Sequence, residues 1–169
     1  MHYFLTTLMI MTTISSMAQD GKAHTVKKTF SRATEVSILI EADAAIVWAL
    51  LTNAEDFPRW NSTVTSLEGT IQLGEKIKLK STLDEKRTFT LKVKEFVPEK
   101  SMVWGDGKGK RTYTLQPESD GKIRFTMYEK MGGLLFPLYA KYIPPFDEAF
   151  EQFAADLKRE AENIQAGAN

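Results

Sequence analysis

The stretch Phe146-Asp147-Glu148-Ala149-Phe150-Glu151-Gln152-Phe153-Ala154-Ala155-Asp156-Leu157-Lys158-Arg159-Glu160-Ala161 decides the fold. Along it and just beyond, Phe146, Phe150, Phe153, Leu157, Ala161 and Ile164 are separated by 4, 3, 4, 4 and 3 residues. At about 100° per residue these six side chains form one narrow stripe on a helix. Glu148, Glu151, Gln152, Lys158, Arg159 and Glu162 fall on its other faces. Asp147 and Glu148 suit the positive end of the helix, and Pro144 and Pro145 suit its first turn, where a missing N–H costs little. A long helix with one apolar stripe needs a partner to bury it.

The partner lies upstream. Thr63–Leu67, Lys76–Ser81, Arg87–Val97, Ser101–Gly105, Lys110–Gln116 and Lys122–Met131 read as strands, with turn signals such as Asp106-Gly107 and Asp120-Gly121 between them. Connections this short favour antiparallel pairing, because a parallel crossover needs a dozen or more residues. Ile77 and Leu79 alternate with Lys76, Lys78 and Lys80; Phe89, Leu91 and Val93 alternate with Thr90, Lys92 and Lys94. Ile123, Phe125, Met127 and Met131 alternate with Arg124, Thr126, Tyr128 and Lys130. One face is apolar, the other rich in Lys and Thr, and the C-terminal helix is its cover.

Further back, Val36, Ile38 and Ile40 alternate with polar neighbours and predict a first strand. Asp43 caps a helix over 44–52, and Asn53 a shorter one ending near Pro58. Residues 19–31 show no clear period and read as a linker, leaving one domain over 32–166. Residues 1–18 carry no Asp, Glu, Lys or Arg, and Ser16 and Ala18 have the spacing of a signal-peptidase site. That predicts a cleaved signal peptide and a periplasmic or secreted protein, with a cytoplasmic one as the alternative. The apolar run is too short to span a membrane, which takes about 20 residues.

Composition narrows the chemistry. Lys+Arg and Asp+Glu both number 22, so no cationic surplus speaks for nucleic acid. There is no Cys, which removes disulfides, thiolate nucleophiles and Cys-based zinc sites. The two His, His2 and His24, lie outside the expected domain. The domain therefore lacks the commonest neutral-pH base, and no metal or cofactor is expected. No GxSxG, HExxH, phosphate-loop or dinucleotide motif is present.

The order strand, two short helices, six strands, long helix resembles the START/polyketide cyclase-dehydrase-like (SRPBCC) superfamily. The residues that carry the resemblance are Val36-Ser37-Ile38-Leu39-Ile40-Glu41-Ala42, Val47-Trp48-Ala49-Leu50-Leu51-Thr52 and Phe57-Pro58-Arg59-Trp60-Asn61. They continue through Leu73-Gly74, Tyr113-Thr114-Leu115 and Phe150-Glu151-Gln152-Phe153. The resemblance implies an α+β helix-grip fold: a curved antiparallel sheet of about seven strands around the C-terminal helix, with a cavity between them. It implies an apolar ligand such as a lipid, a quinone or a polyketide-like molecule.

Periodicity places Phe89, Leu91, Phe125, Met127, Phe146, Phe150 and Phe153 on the inner surfaces, as core, cavity wall or both. Trp60 and Trp104 bring large rings with an indole donor, and Tyr113 a hydroxyl that needs a partner if buried. Glu129 falls on the apolar face of its strand, where it is a ligand contact, a weak candidate for proton transfer, or a solvent-facing strand end. Glu95 follows the same pattern, but Phe96-Val97 suggests a bulge there. Three functions are compatible with these residues. The preferred one is binding or transport of an apolar molecule. The alternatives are a cyclase or dehydratase using Glu129 with Tyr113 or Tyr128, and a protein-interaction domain with an apolar patch at 134–142.

Overall fold

The computed structural model describes residues 20–168. The expected signal peptide lies outside these residues. Eight strands form one antiparallel sheet in the order β1-β2-β8-β7-β6-β5-β4-β3. They are β1 (Ala23–Lys28), β2 (Ser31–Ile40), β3 (Val64–Glu68), β4 (Lys76–Ser81), β5 (Phe89–Val97), β6 (Ser101–Gly105), β7 (Gly109–Pro117) and β8 (Ile123–Gly132). The helices are α1 (Ala44–Thr52), α2 (Phe57–Trp60), α3 (Phe136–Tyr139) and α4 (Asp147–Ala168). The fold is α+β, with the long C-terminal helix held against a curved sheet.

The eighth strand is β1, in the stretch expected to be linker. It pairs with β2 from Ala23↔Val36 to Lys28↔Ser31. Neither of its faces is buried, so it has no apolar alternation to reveal it. Its lysines mark it as a protected edge. His24 therefore belongs to the sheet, opposite Glu35, but is exposed and away from the inner face. Pro144 and Pro145 also differ from expectation, because α4 begins after them at Asp147. Proline disfavours helical backbone in the residue before it, and the pair leaves a non-helical lead-in over 143–146.

The helix stripe is buried through Phe150, Phe153, Leu157 and Ala161, while Ile164 is half exposed near the end. Polar contacts fix α4 along its length. Lys158 Nζ donates to the Leu39 carbonyl at 2.8 Å, and the Glu41 backbone N–H donates to Glu162 at 2.9 Å. Asp156, itself buried, accepts from the backbone N–H of Ser62 at 2.8 Å and from its hydroxyl at 2.6 Å. Burial opposes the Asp156 charge, but Ser62, Gln152 and Arg159 outweigh it and hold the carboxyl below its ordinary range.

Candidate functional site

The inner faces of the strands are not covered evenly. On β8, Ile123, Phe125 and Met127 are buried, whereas Glu129 and Met131 are only partly so. On β7, Leu115 and Tyr113 are buried and Arg111 is partly exposed. The start of α4 sets this change. Beyond Phe146 the long helix no longer covers the sheet, and a cleft of about 210 Å³ opens there, lined in part by Tyr139 of α3. Its walls include Leu79, Phe89, Leu91, Trp104, Met131 and Phe146, and its rim includes Lys108, Tyr139, Tyr142 and Ile143.

Arg111 and Glu129 also line this cleft, directly opposite each other in the β7–β8 register. Arg111 Nε donates to Glu129 Oε2 at 2.6 Å, and Nη2 pairs with the same oxygen. The two side chains are only 15% and 14% exposed. The guanidinium also lies 5.0 Å above the Phe150 ring. Burial works against the Arg111 charge, but Glu129 and Tyr113 outweigh it and hold the group above its ordinary range. Arg32, from the inner face of β2, closes the same end. It donates to the carbonyls of Ile143 at 3.1 Å and Pro144 at 2.8 Å, and sits 4.7 Å over Phe146. Burial draws the Arg32 guanidinium down, with Glu129 and Asp147 opposing. The proline lead-in is thus pinned by a cation that reaches carbonyls no helix uses.

The chain matches the model of the family described as polyketide cyclase / dehydrase and lipid transport over residues 31–166. It belongs to that family. Solved structures share the fold at low identity. A START superfamily protein from Mycobacterium smegmatis is 12% identical with a TM-score of 0.58, covering 78% of this chain and 98% of its own. A conserved protein of unknown function from Enterococcus faecalis is 14% identical with a TM-score of 0.59, covering 85% and 78%. A protein in the dynemicin biosynthetic locus is 16% identical with a TM-score of 0.59, covering 79% of this chain and 48% of its own. No curated protein matches the chain significantly.

In this polyketide cyclase/dehydrase-family chain the expected inner residues divide into two groups. Phe89, Leu91, Trp104, Glu129 and Phe146 line the cleft. Trp60, Tyr113, Phe125, Met127, Phe150 and Phe153 lie in the packed core and do not line the cleft. Phe153 touches Trp60, Tyr113 and Phe125 at ring-centroid distances of 5.8, 5.9 and 6.2 Å, filling the space under the middle of α4. Glu95 is exposed, beyond a bulge between Val93 and Glu95.

Two site residues escaped the sequence reading, Arg111 and Arg32. Both were reachable, since Leu115 and Tyr113 extend by two to Arg111, and Val36 and Thr34 to Arg32. Two buried donors near the cleft lack a partner in full hydrogen-bond geometry: Trp104 Nε1 and the Tyr113 hydroxyl, which lies beside the Arg111 guanidinium. Burial first, with Glu129 adding and Arg111 opposing, pushes the Tyr113 hydroxyl up to about 12. Among the described residues no cluster of His, Cys, Asp and Glu has metal-site geometry, and no helix is long and apolar enough to cross a membrane.

Proposed function

We propose that the chain binds a small, mostly apolar molecule whose one polar head meets Arg111 and Glu129. The observation that carries this reading is a largely buried charged pair in a cleft where Leu79, Phe89, Leu91, Met131 and Phe146 form the apolar lining, with Asp84, Arg87 and Lys108 also lining it. Desolvating such a pair is expensive, and apolar residues would pack the position as well. The pair also keeps bonding capacity in reserve. Arg111 spends Nε and Nη2 on one Glu129 oxygen, so Nη1 and Glu129 Oε1 have no protein partner among the described residues. A donor and an acceptor side by side suit a carbonyl, a carboxylic acid or a phenol. At about 210 Å³ the cleft is smaller than the roughly 300–1,000 Å³ of drug-sized pockets, which fits a single ring or a short acyl segment.

Membership of a family described by both cyclase/dehydrase and lipid-transport activities supports a bound apolar ligand of either kind. Between those two, the geometry favours binding over proton transfer. Glu129 is engaged by Arg111 and not by a tyrosine, and Tyr128 alternates onto the outer face.

Solvent extraction and native mass spectrometry of the purified protein test the first part. The head group is tested by tryptophan fluorescence titration with naphthoquinone and naphthalene, a pair that differs in the carbonyl oxygens. Naphthoquinone is expected to bind about tenfold more tightly, the worth of one good hydrogen bond. Replacing the pair together, Arg111→Met with Glu129→Gln, avoids an orphaned charge and is expected to erase the difference. Absence of any bound molecule, with no response to either compound, overturns the proposal.

A further inference from the structure

One end of the molecule carries an apolar tip that the cleft does not use. After Gly133, whose φ of 129° turns the chain outward, Leu134, Leu135, Leu138 and Tyr142 are 88%, 67%, 70% and 75% exposed. Only Phe136 of this segment is buried and anchors it. The Gly133 N–H donates to the Phe30 carbonyl at 3.0 Å, which sets the exposed Phe30 ring of the β1–β2 turn beside the tip. Monomeric soluble surfaces seldom gather so many large apolar side chains in one place.

The tip is flanked by positive charge. A groove next to it is lined by Phe30, Lys94, Lys108, Lys110 and Lys130, with Asp106 as its only acid. Asp106 already accepts backbone N–H groups from Lys108 at 2.7 Å and Gly109 at 2.9 Å. Lys141 lies 4.9 Å over the Tyr142 ring on the tip itself. None of these five lysines has an ion-pair partner among the described residues, in a chain of zero net charge. Protruding leucines, a tyrosine and lysines without a carboxylate partner at one end match the layers of an anionic leaflet: acyl chains, interface and phosphate.

We propose that the segment 134–142, with Phe30 and the lysine groove, docks this end on an anionic phospholipid bilayer. Tyr139 and Tyr142 belong both to this segment and to the cleft rim, so docking sets the cleft mouth at the bilayer surface. The partner is a leaflet and not a protein groove because the leucines project outward and are flanked by five lysines against one acid, Asp106.

The test is co-sedimentation of the full chain with vesicles of phosphatidylcholine alone and of equal parts phosphatidylcholine and phosphatidylglycerol. Binding is expected only to the anionic vesicles, and is expected to fall as salt shortens the screening length from about 10 Å to about 3 Å. Leu134→Ser/Leu135→Ser/Leu138→Ser is expected to lose about tenfold or more in partitioning. Lys108→Glu/Lys130→Glu is expected to lose about fivefold or more per site. Lys76→Glu/Lys80→Glu, an equal charge change on the same outer sheet face but on β4, four strands from β8, is expected to leave partitioning unchanged. All seven positions are on the surface, and circular dichroism checks that each variant folds. No binding to the anionic vesicles overturns the proposal. So does equal loss in the outer-face control, or full binding by the triple-serine variant, which would place the contact elsewhere on the chain. Concentration-dependent dimerisation that the serines abolish would also overturn it, because a second copy would then cover the tip.

Discussion

The two ends of the sheet–helix interface are built from the same alternation and finish differently. Under the middle of α4, Phe125, Tyr113 and Phe153 close into an aromatic core. Two residues from Tyr113 on β7 and four from Phe125 on β8, Arg111 and Glu129 line an open cleft. The alternation continues between these positions; the cover ends, and the inward side chains turn from aromatic to charged. A helix of 22 residues spans about 33 Å, and its N-terminal limit at Asp147 is where the core stops. A cavity wall is therefore a core face whose lid has ended, and the proline lead-in determines where that happens.

The largest test of this contrast is a matched pair of truncations. Phe153→Ala removes the ring that touches Trp60, Tyr113 and Phe125, and is expected to cost about 3–5 kcal/mol in chemical denaturation. Phe89→Ala, at the cleft, is expected to cost less than about 1.5 kcal/mol, because solvent already reaches its site. Equal costs would mean that the cleft end is packed as tightly as the core.

Much of this division was out of reach of the sequence, for a definite reason. Alternation tells which way a side chain points, and it placed Phe89, Phe125 and Phe153 inward correctly. It carries no information on how far along a strand the cover extends. That is a tertiary length, set by where Pro144 and Pro145 stop the helix. Arg111 and Arg32 lay on inward positions and were hidden by habit, since charged residues are read as outward. The edge strand β1 left no signal at all, because neither of its faces is buried.

A middle-sized effect concerns what holds the closed half shut. Asp156→Asn weakens the acceptor of both Ser62 bonds and the Arg159 contact, and is expected to cost about 2 kcal/mol near neutral pH. The sign with pH follows from the lowered folded-state value. The Asp156 contribution is present above the unfolded value of about 3.9 and is lost as pH falls through the folded one. The stability gap between wild type and variant should therefore shrink in acid. A gap constant from neutral pH to well below the unfolded value would mean that the Asp156 charge does not stabilise the α4 contact.

The smallest effect lies at the boundary between the two regions, on Tyr113. Its hydroxyl is buried beside Arg111 without a bond in full hydrogen-bond geometry, so removing it deletes a desolvation cost and at most a weak contact. Tyr113→Phe is expected to leave stability unchanged or to raise it by up to about 1 kcal/mol at neutral pH. Absorbance titration adds a second reading. One tyrosine should resist ionisation until about 12 and be missing from the variant. Because the folded value lies above the unfolded one of about 10, the wild type alone should lose this contribution as pH rises between the two. If Tyr113→Phe instead destabilises the protein by more than about 1 kcal/mol, the hydroxyl has a partner in solution. That partner would be Arg111, the cation already beside it, or a group admitted from the cleft side, and either would tie Tyr113 to the Arg111–Glu129 pair and move the boundary between core and cleft inward by one residue pair.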